Sequence, residues 1–105
     1  MNTYVLQELL HVAVVNNRST IVSMLLDANA DPGAVSGDGN TALHSAIAGG
    51  RSAIASILLD AKADPSVGNI HGETALYAAV KGGHAAIVGM LLHAAGDAET
   101  SSGSG

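Results

Sequence analysis

The chain has no cysteine, no phenylalanine and no tryptophan, and only four of its 105 residues are lysine or arginine. Each shortage removes a class of protein. Without cysteine there is neither a disulfide framework nor a thiol nucleophile, a composition that suits a reducing compartment, and an intracellular, cytoplasmic setting is the expectation. Arg18, Arg51, Lys62 and Lys81 are well separated, and nine Asp and Glu residues leave a net charge of -5. A duplex-binding surface needs clustered positive charge to release counterions, which argues against nucleic acid as a partner. The N-terminal stretch MNTYVLQELLHVAVV is apolar but lacks a basic leader region. No run approaches the roughly 18 apolar residues of a membrane span, so the sequence reads as neither signal peptide nor transmembrane helix.

What is present is regular. Apolar residues make up 48% of the chain, yet Tyr4 and Tyr77 are its only aromatics, so that share rests on Ala, Val, Ile and Leu. A length of 105 residues is one domain's worth, able to bury about two thirds of its unfolded surface. The regularity has a source in an internal repeat: LLDANADP at 25 to 32 returns as LLDAKADP at 58 to 65, 33 residues on. Sliding residues 25–50 onto 58–83 matches 14 of 26 positions, among them Asp31, Pro32, Gly39, Thr41, Leu43, Ala46, Gly49 and Gly50. A third copy shows in IVSMLL (21–26), IASILL (54–59) and IVGMLL (87–92). A fixed period of this size means one supersecondary unit stacked on copies of itself.

The punctuation of one unit describes its shape. TALHSAIA at 41–48 is a short apolar helix signal with Thr41 placed to cap it, the GG at 49 and 50 breaks it, and SAIASILLD resumes helical spacing. The short connection forces the two helices to pack antiparallel. Asp64-Pro65 then opens a polar segment, DPSVGNIHGE, whose Pro, Gly and Asn suit an extended, turn-containing excursion that projects from the stack before Thr74 caps the next unit.

A 33-residue period, two short helices per unit and the motif TALHSA together resemble the ankyrin repeat, whose signature is T-P-L-H-x-A. The resemblance implies an all-α repeat solenoid of stacked helix-turn-helix units with projecting β-turn fingers. It implies one domain over residues 1–98, with repeats at about 4–35, 36–68 and 69–98; by its composition, ending in TSSGSG, the segment 99–105 reads as a disordered Gly/Ser tail of artificial-linker type. Gly39 and Gly72 would sit in the fingers, Thr41 and Thr74 would start inner helices, and Gly50 and Gly83 would make the turns. The chain departs from the pattern in places. Ala42 and Ala75 replace the usual Pro but leave the Thr cap. Asn29 and Lys62 stand where Gly is favoured after the outer helix, and Lys tolerates the left-handed conformation less well than Asn. Tyr77 replaces the motif His, so the Thr-to-His contact is available through Thr41 and His44 but not in the third unit. The first unit has His11 in register, with Glu8 in place of Thr and no finger before it.

Five His residues invite a metal site. His11 and His44 are register-equivalent in adjacent units, and stacked helices lie about 8–10 Å apart, too far for two imidazoles to share a zinc at roughly 2.0 Å each. A structural role is expected for these two and for His84 at the turn, whereas His71, in a finger tip, is a candidate contact. Asp27 and Asp60 end outer helices and read as solvated positions. SGDGN has no following Lys at the offset of a phosphate loop. There is no HExxH, no Ser-His-Asp order and no paired carboxylates, so neither a catalyst nor a cofactor is expected.

The remaining function is recognition. Positions that differ between copies of an otherwise repeating unit are free of packing demands. In the fingers these are Val35, Ser36, Gly37, Asp38 and Asn40 against Gly68, Asn69, Ile70, His71 and Glu73. On the inner helices they are Ser45 and Ala48 against Ala78 and Lys81. The family resemblance places both sets on a concave groove that binds another protein, with Ile70 as the apolar anchor and Asp38, Glu73 and Lys81 supplying rim specificity. One feature points elsewhere. The first helix carries Tyr4, Val5, Leu6, Leu9, Leu10, Val12, Val14 and Val15, more than a single buried stripe uses. Terminal units need polar outer faces. Either more repeats precede residue 1 or the chain associates with itself as an excised or engineered scaffold with no dedicated ligand.

Overall fold

The computed structural model describes residues 2–99, and within them six helices follow one another: α1 (Thr3–Val15), α2 (Ser19–Asp27), α3 (Ala42–Ala48), α4 (Ser52–Asp60), α5 (Ala75–Gly82) and α6 (Ala85–Glu99). Consecutive helices pair as α1 with α2, α3 with α4 and α5 with α6. The odd-numbered helices stack into an inner layer and the even-numbered ones into an outer layer. The architecture is the all-α stack of three helix-turn-helix units expected from the period. The tail expected at 99–105 lies, apart from Glu99 itself, outside the described residues.

Local chemistry sets the helix bounds. Thr41 and Thr74 stand at the same extended backbone geometry, φ -75 with ψ 166 and 167, and their hydroxyl oxygens accept from the amides of His44 and Tyr77. Each satisfies an amide that the first helical turn leaves without a partner. Ala42 and Ala75, in the place of proline, are fully buried. α1 starts differently, on Asn2, whose Oδ1 accepts from the Tyr4 amide at 2.7 Å. Its first turns occupy the part of the unit that the later repeats give to a finger.

Helix ends share one device. Asn17, Asn29, Gly50, Lys62 and Gly83 all have positive φ, between 59 and 76°. The residue after each sends its amide back to a carbonyl five positions earlier: Arg18 to Ala13, Ala30 to Leu25, Arg51 to Ala46, Ala63 to Leu58 and His84 to Ala79, at 2.8–3.0 Å. This is the left-handed C-terminal cap that reverses the chain tightly. Lys62 adopts it despite its side chain.

Inner helices of seven or eight residues are too short to be stable alone, and stacking supplies what propensity does not. Leu10, Val14, Val22, Leu43, Ile47, Ile54, Leu58 and Ile87 are sealed in the core. Ala13, Ala46 and Ala79, one per unit at the same register, are also buried and let neighbouring inner helices approach closely. Both tyrosines are exposed, so the aliphatic core uses no aromatic ring among the described residues. Within those residues no helix is long and apolar enough to cross a membrane.

Candidate interaction groove

Two fingers rise from the stack, one before α3 and one before α5. In the first, Ser36 N bonds Asn40 O at 2.8 Å and Gly39 N bonds Ser36 O at 3.0 Å; in the second, Asn69 N bonds Glu73 O and Gly72 N bonds Asn69 O, each at 2.9 Å. These are the same two bonds 33 residues apart, and an isolated antiparallel bridge joins Val35 to Thr41. Each finger is tied by its own side chain. Asp38 Oδ1 accepts from the Ser36 hydroxyl and from the Asn40 amide, which holds its carboxyl below the usual carboxylate range. Asn69 Oδ1 accepts from the amides of His71 and Glu73 at 2.9 and 3.0 Å.

The fingers are also tied to each other. Ile70 N donates to the Gly39 carbonyl at 3.1 Å, and Asn69 Nδ2 donates to Asn40 Oδ1 at 3.3 Å. Beneath them His44 is buried, with Nδ1 2.8 Å from Thr41 Oγ1 and Nε2 2.7 Å from the Glu73 carbonyl. The Thr-to-His contact expected in the middle unit is present, and it extends through the ring to the next finger. Glu73 accepts from Lys81 Nζ at 3.0 Å. That bond and one from Asn69 lower the Glu73 pKa, while Glu73 raises that of Lys81. A pair this exposed contributes little to stability; its effect is to hold Lys81 over the groove.

Seven of the candidate residues, Asn40, Ala48, Asn69, His71, Glu73, Ala78 and Lys81, line one open depression of about 420 Å³ between units two and three, together with His44, Gly82 and His84. Val35, Ser36 and Gly37 line another, of about 310 Å³, with Tyr4, Gln7, Glu8, His11 and Val12. Ser45 is half-buried on α3 and Asp38 is exposed at the first finger. Gly68 lies against the backbone of Gly72 in its own finger, where an added Cβ would come within 3.2 Å. Ile70 rests on Gly39 yet is 69% exposed.

The share of the first unit was not visible by comparing the two finger-bearing copies. Tyr4 and Val12 are exposed beside the Val35 finger, and Val12 is the register equivalent of Ser45 and Ala78. The signal that could have found it was there in the 33-residue offset. His11 Nδ1 contacts its own helix at Gln7 O, 3.1 Å away, and its buried Nε2 has no partner. Burial pushes the His11 imidazole pKa down, with the Asp38 carboxylate opposing. Among the described residues no three His, Asp or Glu side chains come together to hold a metal ion. The depression between units two and three offers hydrogen-bond donors and acceptors, with the exposed Ile70 on the finger beside it.

Comparison with known proteins supports the repeat architecture. The family model described as ankyrin repeats, three copies, matches residues 10–102. No curated protein matches the chain.

Proposed function

The chain belongs to the ankyrin-repeat family, and from that premise we propose that it is a non-catalytic module that binds another protein through the concave face of its inner helices and fingers. The family is generally one of protein-interaction modules and is typically non-catalytic. The observation that carries the reading for this chain is the shared depression. Asn40, Ala48, His71, Glu73, Ala78 and Lys81 differ from their counterparts one repeat away, and they line one surface. A fold of this kind needs its core positions to repeat and leaves its recognition positions free.

The chemistry favours a protein partner. Glu73 and Lys81 set opposite charges side by side, His71 is exposed next to them, and Ile70 offers an apolar side chain at the finger tip. An exposed apolar anchor within a polar rim is the arrangement of a binding hot spot. The reading requires no cofactor.

The test is capture of protein partners on immobilised chain, compared across variants. Ile70→Asp and Lys81→Glu should lose the captured species while keeping wild-type helicity. Ala53→Arg, on the exposed side of the outer helix α4, should retain it. Capture that survives both groove variants removes the groove as the site. A second reading, a self-associating or engineered scaffold, is favoured by the exposed apolar side chains of α1 and α2.

A further inference from the structure

The repeat register says what each end of the stack is shaped to meet. Ile21, Ile54 and Ile87 are equivalent positions; Ile54 and Ile87 are 0% and 1% exposed, whereas Ile21 is 47% exposed. Leu9 is exposed where its counterparts Ala42 and Ala75 are sealed, and Met24 is exposed where Ile57 and Met90 are half-buried. Positions uncovered only in the first unit are those that a preceding unit covers. The opposite end shows the complement. Val14 and Ile47 are sealed while their counterpart Val80 is 61% exposed, and Leu92 is exposed where Leu26 and Leu59 are half-buried. Positions uncovered only in the third unit are those that a following unit covers.

The first face is also hollowed. Two adjoining depressions of about 280 and 400 Å³ lie between α1 and α2, and Leu9, Ile21 and Leu25 line both. The helix layers α1 on α3 and α2 on α4 pack by the same pairing as α3 on α5 and α4 on α6.

We propose that the α1–α2 face of one molecule receives the α5–α6 face of a second copy, head to tail, in the register that the internal units use. The occupant follows from continuity with the internal interface. Val80 and Leu92 are the side chains that Val14 or Ile47 and Leu26 or Leu59 supply inside the stack. Ile21 and Leu25 are the residues that Ile54 and Leu58 supply on the receiving side. Two α1–α2 faces set against each other would oppose hollow to hollow. The head-to-tail contact is weaker than an internal one, because Tyr77 stands in the place of His44 and the turns of α1 replace the finger, so the bond from His44 to Glu73 has no counterpart. A head-to-tail contact leaves one face free at each end, so it adds copies in a row unless the rotation between them closes a ring. Each copy carries a charge of -5, so screening by salt strengthens the association. The inference stands independently of the groove.

Sedimentation of the full chain from micromolar to millimolar concentration, at low and high salt, tests it. The expected result is a weight-average mass that climbs past twice the monomer mass without levelling at a dimer. Ile21→Glu removes the receiving face and Val80→Glu the inserting one, both at exposed positions. Each variant alone should stay monomeric, while an equimolar mixture should form a dimer and stop there, because only one matched contact remains. Circular dichroism checks that both fold; if either does not, Met24→Lys and Leu92→Lys take their place. A wild type that is monomeric throughout overturns the proposal. So does association that survives Val80→Glu, which would mean pairing of like faces, or a mixture that stays monomeric.

Discussion

The imidazole of His44 and the main-chain carbonyl of Glu73 meet at 2.7 Å across 29 residues of sequence. A carbonyl only accepts, so a ring proton there sits on Nε2, and in the tautomer that leaves Nδ1 bare this nitrogen accepts from the Thr41 hydroxyl. That hydroxyl oxygen in turn accepts the His44 amide. Helix cap, inner helix and the following finger are one buried network. His44→Ala should therefore cost about 2–3 kcal/mol, the range for cutting a buried hydrogen-bonded group and leaving its partners unsatisfied. Tyr77→Ala, at the exposed equivalent position, should cost well under half as much. Urea unfolding of the two variants measures the difference, and equal losses would contradict the network.

The first finger makes a sharper comparison between two glycines. Gly39 has φ +84 and a Cβ there would come within 2.6 Å of the Ile70 Cβ, while Gly37 has nothing within 4 Å of a Cβ and no such backbone geometry. Gly39→Ala should cost at least about 1–2 kcal/mol from the left-handed conformation alone, and the displacement of Ile70 should also weaken partner capture. Gly37→Ala should be neutral or slightly stabilising, since it restricts only the unfolded chain. Thermal unfolding of both, with capture assays alongside, checks each half.

Much of this was legible because it is local. The Thr caps, the Gly turns and the Asp-Pro entry into each finger act within a few residues, and the period then fixes which helices stack. The links between fingers were not legible. Asn69 reaches Asn40 across 29 residues, and Ile70 reaches Gly39 across a similar span. No local signal marks such pairs, because they form only once two units are stacked. Most of the candidate groove residues divide between two depressions, and Asp38, Ser45, Gly68 and Ile70 line neither, for the same reason: copy comparison identifies which positions vary, but not which neighbours they meet.

Lys62 carries a local cost that the stack overrides. It has φ 75 at the end of α4, where the cap demands a left-handed residue, and its side chain is exposed. The cap bond from Ala63 to Leu58, at 2.9 Å, depends on that conformation. Lys62→Gly should stabilise the protein by up to about 1 kcal/mol, the left-handed penalty less the added freedom of the unfolded chain. For a domain of this size that is a rise of up to about 4–8 °C in Tm. A fall in Tm would mean that the lysine stem contributes packing that outweighs its backbone cost.

His11 predicts a pH dependence of stability. Its Nε2 is buried without a partner, whereas His44 Nε2 reaches a finger carbonyl. The equivalent carbonyl above His11 is that of Asn40, which accepts the Ser36 amide at 2.8 Å. Burial lowers the His11 pKa from its ordinary 6.5, and Asp38 opposes only in part; Glu8 is the other acidic group lining that depression. Well above 6.5 the ring is neutral in both folded and unfolded chains and contributes no pH dependence. As pH falls through 6.5 the unfolded chain takes up a proton that the folded one resists, so stability drops until the folded ring also titrates. His11→Gln cannot titrate, and the wild type should lose stability relative to it between pH 7 and 5.5 or so. Asp38 and Glu73, whose pKa values are lowered, lose their contributions at more acid pH and leave this window to histidine. Urea midpoints of the two proteins measured across it decide the matter: a difference that is flat with pH, or that moves in favour of the wild type on acidification, would mean that His11 is not held neutral by the fold.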